Sequence, residues 1–272
     1  MNALERISQI INKLHEEKAS VGAEIEEYLH AASEQIIKDE KTKKLSQYLV
    51  ISEYIEAEIT TPPPPFEKLS AQEKAQVVQL LNKRLAQVNN TQEKTQLIAS
   101  LVLEYIQQSI PPTKVDSFIV LFLKRVIEQI KAQVSTNKES ALGYAYLIIW
   151  LSQKIPNLLR KYKYTMFTSA LPLDCLLGMY RVYFTILKQM GEMEDAWSFI
   201  HSLLKYTEDI GNTFNPCVLA VFLDVLQDPM RCTYREKWME MEAYIQNVYI
   251  PAVDPSRYKT EMQQISDYLK KK

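Results

Sequence analysis

Apolar residues recur at helical intervals along almost the whole chain. Near the N-terminus, Leu4, Ile7, Ile11, Leu14, Ile25, Leu29 and Ile36 mostly follow one another at three, four or seven residues, with an interruption around Ala19 and Gly22. This spacing places an apolar stripe on one face of a long helix or a kinked pair. "QYLVISEYIEAEI" predicts a shorter apolar helix, which stops at "TTPPPP", residues 60–65. Its four prolines remove backbone donors and favour extended backbone, so the run reads as a stiff connection. A ligand for a proline-reading domain is the lesser alternative.

Helical spacing resumes after the prolines. "KLSAQEKAQVVQLLNKRLAQV" opens on Ser70 with Glu73 three residues later, the spacing of a capping box. "TQEKTQLIASLVLEYIQQS" reads as the same design from Thr91 and ends before Pro111 and Pro112. Further helices are predicted in "TKVDSFIVLFLKRVIEQIKAQV", "ESALGYAYLIIWLSQK", "PNLLRKYKYTMF", "LDCLLGMYRVYFTILKQM", "EMEDAWSFIHSLLKYTEDI", "NPCVLAVFLDVLQDP", "YREKWMEMEAYIQNVYI" and "DPSRYKTEMQQISDYLKK". Short polar or proline-containing turns between them favour antiparallel neighbours. No repeat of fixed period is visible, as is common for irregular helical repeats. The expected fold is all-α: an irregular HEAT-like helical-repeat body over 66–272 with an N-terminal helical arm over 1–59. The two are also readable as one continuous domain.

Composition narrows the choice further. Five glycines in 272 residues are too few for the turns of sandwiches and barrels or for a phosphate loop. Cys175, Cys217 and Cys232 lack paired spacing, which suggests reduced thiols and an intracellular compartment. The charged, amphipathic N-terminus does not read as a secretory signal. No apolar run approaches the roughly 18–20 residues of a membrane span, so no membrane partner is expected. His15, His30 and His201 lack metal-ligand spacing, and no serine sits in a nucleophile elbow. Cys175 reads as a small core residue, and Trp150, Trp197 and Trp238 as core anchors, with Phe222 on a buried face. Glu192, Glu194 and Asp195 stand at a helix N-terminus, where they oppose the helix dipole. No catalytic residue and no metal site is expected, and the chain reads as a non-enzyme.

Charge is unevenly distributed. The net value is −1, but residues 111–170 carry nine Lys/Arg against three Asp/Glu. At the end of that segment stands "IPNLLRKYKY", with Arg160, Lys161 and Lys163 among Tyr162 and Tyr164. Such an excess attracts an anionic ligand, unless the protein's own carboxylates neutralise it.

Between residues 139 and 252 the chain resembles the C-terminal domain of the Gle-type nuclear-pore mRNA export factors. The likeness rests on the turn Ile155-Pro156-Asn157-Leu158, then Asp174, Gly178 and Phe184, and Trp197 opening the next helix. Phe222-Leu223, Tyr234, Trp238 and Tyr249-Ile250-Pro251 complete it. The resemblance implies an all-helical scaffold at the cytoplasmic face of the nuclear pore complex. It implies a DEAD-box RNA helicase as the partner whose ATPase is activated, an FG nucleoporin as a second partner, and inositol hexakisphosphate as a tether; no other cofactor is expected.

In that family the inositol phosphate is held by a helix like 113–134 and by a basic run after the turn. Lys124 falls where the family has a lysine, but Glu128 falls where it has a basic residue or His. Thr165, Thr168 and Ser169 stand where the later basic residues are expected, and Arg160, Lys161 and Lys163 lie nearer the turn. The candidate residues for an inositol phosphate or an acidic partner are therefore Lys124, Arg125, Lys131, Arg160, Lys161 and Lys163. The depleted pattern favours an acidic helicase patch. Two other readings stay open: a generic helical adaptor of translation or RNA metabolism, and direct RNA binding through 111–170, the less favoured of the two.

Overall fold

The computed structural model describes residues 67–168, 171–205 and 214–270, all within one compact unit spanning Tyr48–Lys272. The arm expected over 1–59 and the proline run lie outside the described residues, as do His15, His30 and Ser169. Of Thr168, only the backbone is described.

Among the described residues every regular element is helical. They are α1 (Ala71–Leu85), α2 (Gln92–Ser109), α3 (Val115–Gln129), α4 (Ala141–Ser152), α5 (Leu158–Thr168), α6 (Leu173–Met190), α7 (Met193–Lys205), α8 (Asn215–Tyr234), α9 (Glu236–Tyr244) and α10 (Lys259–Lys270). α3 continues into a π turn, Ile130–Val134, and α9 into another, Ile245–Tyr249, followed by a last helical turn, Ile250–Ala252. The all-α expectation holds. α2, α4, α6, α8 and α10 each pack on the next, while α1 packs on α3 and α5 touches both α3 and α6.

The start of α1 follows the sequence reading. Ser70 Oγ accepts the Glu73 N–H at 3.2 Å, and Glu73 Oε2 accepts the Ser70 N–H at 2.6 Å. At α2 the expected box is absent, because the N3 position is Lys94, which has no acceptor to return. Asn89 serves this corner instead: its Oδ1 accepts the Thr91 N–H, and its carbonyl accepts from Thr95 Oγ1, both at 2.9 Å. α8 runs through Pro229, where the sequence pattern suggested an end. α10 begins at Lys259, after Asp254 has closed a turn by accepting from the Ser256 N–H and hydroxyl.

Two glycines permit close approach between elements. A Cβ on Gly143 would lie 2.4 Å from the Asn89 carbonyl oxygen, and one on Gly178 would lie 2.8 Å from Ile130 Cγ2. Gly178 thus lets the π turn after α3 settle against α6.

An aromatic cluster fills the centre of the C-terminal half. Phe184 meets Phe199 and Phe222 edge-on, each at 5.1 Å between ring centroids. Phe222 stacks near Trp238 at 6.4 Å. Phe184, Phe199, Phe222 and Trp238 are all fully buried. Burial of roughly 150–250 Å² per ring makes this cluster a main source of stability, and the edge-on pairs add about 0.5–1.5 kcal/mol each. Trp197 departs from the expected core role. It is half-buried, with its ring 4.5 Å from that of Tyr234 at the margin of the cluster. Trp150 is likewise only half-buried, whereas Trp238 is in the core as expected.

Candidate basic interface

The buried face of α3 is set by Ser117, Phe118, Phe122 and Val126, spaced at one or four residues. This register turns Val120, Lys124 and Glu128 outward. Lys124 is exposed and has no ion-pair partner among the described residues. Arg125, one step round the helix, is half-buried and bonds Glu128 Oε2 through Nη1 at 2.5 Å. Lys131, in the π turn, is exposed. Its charge acts weakly to lower the Cys175 thiol pKa, but burial of that thiol dominates and pushes it up. Cys175 is buried, and its Sγ lies 3.9 Å from the Ile127 carbonyl.

The turn into α5 explains where the second basic run points. Ile155 and Leu158 are buried, and Asn157 takes φ 61, a left-handed conformation that asparagine tolerates. Tyr162 follows Leu158 by one turn, is fully buried, and donates its hydroxyl to the Met179 carbonyl at 2.9 Å. With Tyr162 inside, Lys161 and Lys163 flank the buried face. Lys161 Nζ pairs with Asp116 Oδ1 in the first turn of α3. Lys163 is buried, pairs with Asp195 Oδ2 at 3.0 Å and lies 5.5 Å from the centre of the Tyr183 ring. The Tyr183 hydroxyl donates to the same carboxylate at 3.1 Å. Arg160 is exposed.

Two of the three cations in the run thus bind α5 to α3 and α7. Removing Asp195 would leave a buried ammonium without that carboxylate, a costly arrangement. Lys161 meets α3 at its first turn, about two turns and roughly 12 Å along the axis from Lys124. The six candidates therefore do not converge on one cradle. Lys124, Lys131 and Arg160 face solvent, Arg125 is shared with Glu128, and Lys161 and Lys163 are engaged within the fold. Thr165 donates to the Lys161 carbonyl at 2.8 Å, which completes a helix rather than a site.

Sequence reasoning missed Asp116 and Asp195 as the partners of the run. Asp195 does stand in the first turn of α7 as expected, but it does more there than oppose the dipole. A groove of about 520 Å³ elsewhere is lined by Trp197, Leu204, Met241 and Tyr244, with His201, Lys237 and Glu240 beside them. Among the described residues, no cluster of His, Cys, Asp and Glu could hold a metal ion. No described helix is long and apolar enough to cross a membrane.

Residues 51–167 match the family model described as GLE1-like protein. The matched segment includes α1 to α4, most of α5, and all six candidate basic residues. It overlaps the stretch that carried the resemblance only over 139–167; Asp174 and the later residues lie beyond it. Over these residues, less than half of the chain, the sequence is similar to GLE1-like proteins. No curated protein and no solved structure matches the chain.

Proposed function

We propose that this GLE1-like chain is a helical regulator of mRNA export at the cytoplasmic face of the nuclear pore complex. It binds a DEAD-box RNA helicase and raises its ATPase turnover without supplying a catalytic group. The observation that carries this reading is the family match over 51–167, which contains α3 and its π turn with Lys124 and Lys131 exposed. An activator that only binds works by preferring one conformation of its partner, and its effect is bounded by that difference in affinity. Here the preferred conformation is a product-releasing geometry of the helicase. An FG nucleoporin is the second partner, at a separate surface.

The basic face meets an acidic helicase patch directly rather than through inositol hexakisphosphate. A polyphosphate takes several convergent charge-assisted donors. Lys161 and Lys163 are already occupied by Asp116 and Asp195, and Arg125 shares one Nη atom with Glu128. The residues present do not make a good cradle for that ligand.

Calorimetry with the cognate helicase tests the choice. Lys124→Ala should weaken binding about two- to fivefold without inositol hexakisphosphate, and added salt should mimic it by screening. Micromolar or tighter binding of inositol hexakisphosphate by this chain alone, lost on Lys124→Ala, would overturn the direct contact. Absence of any helicase binding would return the chain to the generic adaptor reading.

A further inference from the structure

α1 and α3 carry the same short pattern. Lys83 and Arg84 precede the buried Leu85, and Lys124 and Arg125 precede the buried Val126. The two helices start side by side. Lys114 Nζ reaches Glu73 Oε1 at 3.0 Å, the Leu69 N–H donates to Ser117 Oγ at 3.2 Å, and the Thr113 hydroxyl donates to Glu67 at 2.6 Å. α2 then returns the chain between them, so α1 and α3 run in the same direction, and they remain packed together. The Glu73–Lys114 pair joins residues 41 apart. Val77, Leu81 and Leu85 of α1 are buried at helical spacing, and so are Phe118, Phe122 and Val126 of α3. Lys83 and Arg84 directly precede the last of these on α1, and Lys124 and Arg125 directly precede the last of these on α3. Packed helix axes lie about 8–10 Å apart, a gap that arginine side chains from both helices can span to one ligand.

The state of these side chains points to an anion. Lys83 and Lys124 are exposed, while Arg84 and Arg125 are half-buried. The Nε atoms of both arginines are buried, and neither has an acceptor. Among the described residues, Glu128 is the one carboxylate paired with any of the four. A guanidinium with a buried Nε has already lost part of its hydration. An incoming carboxylate does not reach the buried Nε, but the outer Nη atoms can give it charge-assisted bonds against little further desolvation.

We propose that Lys83, Arg84, Lys124 and Arg125 form one composite site for an acidic segment of a protein partner. The proposal rests on the reading of the basic face as a partner-binding surface, and it moves the centre of that surface from the α5 run to the α1–α3 pair. Spaced carboxylates fit two forks on adjacent helices. Single-stranded RNA fits less well, because no aromatic side chain is interleaved at these positions for a base to stack on.

The test is fluorescence anisotropy of labelled octaglutamate titrated with the full chain at low salt. Lys83→Glu/Arg84→Glu and Lys124→Glu/Arg125→Glu should each weaken binding about tenfold or more, and their combination should add little. Lys154→Glu/Lys188→Glu, an equal charge change at exposed positions elsewhere, should stay within about twofold. Arg84→Lys/Arg125→Lys keeps the charge, removes the forks and spares the fold; an intermediate loss is expected. No binding of the peptide, equal loss in the control pair, or full retention in the Arg→Lys variant would overturn the site. Tighter binding of oligouridylate or hexametaphosphate than of octaglutamate, lost in the same variants, would overturn the choice of a protein ligand. A positive peptide result with no helicase binding would count against the proposed function and leave this site standing.

Discussion

Trp197 and Phe222 lie in apolar helical stretches of similar appearance, yet they differ in burial. In "AWSFIHSLL", Ala196, Phe199, Ile200 and Leu203 are fully buried. Trp197, one step round the helix from Ala196, falls at the edge of that face and opens onto the groove with Tyr244 and Met241. Phe222 lies between Phe184 and Trp238 with no exposure. Phe222→Ala should cost about 3–5 kcal/mol, the range for a large core aromatic. Trp197→Ala should cost less, about 1–2 kcal/mol, since part of its surface is already in water. Urea denaturation of the two variants checks the order, and an equal or larger loss for Trp197→Ala would contradict the placement. The sequence could announce the helix here but not the edge of its buried face. Periodicity locates a stripe to within about one residue, and the stripe's width depends on which helices pack against it.

At the scale of elements, the joint between α1 and α3 has a pH signature. Glu73 is held at about 2, below its ordinary 4.5, first by the Ser70 backbone N–H and then by Lys114. A carboxylate with a depressed pKa contributes stability above its unfolded value and loses it as pH falls through the folded one. The contribution is therefore present above pH 4.5 and fades toward pH 2. The melting temperature of the parent should fall more steeply across that window than that of Glu73→Gln, which retains an acceptor for the cap. Parallel curves would refute the linkage. This cap was legible because Ser70 and Glu73 are local to each other. The failed box at α2 was a matter of register, with Lys94 at the decisive position. Its replacement, the Thr95–Asn89 bond, arises from how the chain folds back at that corner.

The whole molecule was legible as an all-α body, because few glycines and continuous helical spacing both point that way. Its electrostatics were less so. The excess of positive charge over 111–170 is a sum along the chain, whereas the field at the surface depends on pairs formed across it. Lys161 finds Asp116 at a separation of 45 residues, and Lys163 finds Asp195 at 32. No count within a window reveals such neutralisation. The cations left outward include Lys124 on α3 and Lys131 in its π turn, with Lys154 and Arg160 apart from them, and Lys83 and Arg84 on α1 were not anticipated at all. Their helix packs beside α3 only in the folded chain.

The central claim, that this chain activates a DEAD-box ATPase by binding alone, is tested most directly by steady-state ATP hydrolysis of the cognate export helicase with RNA. The chain should raise kcat in a saturable manner without inositol hexakisphosphate. Lys124→Glu should shift the activation curve to higher concentration and leave its plateau nearly unchanged, because a surface cation acts on association rather than on chemistry. An unchanged turnover rate at concentrations where calorimetry detects the complex would contradict the account.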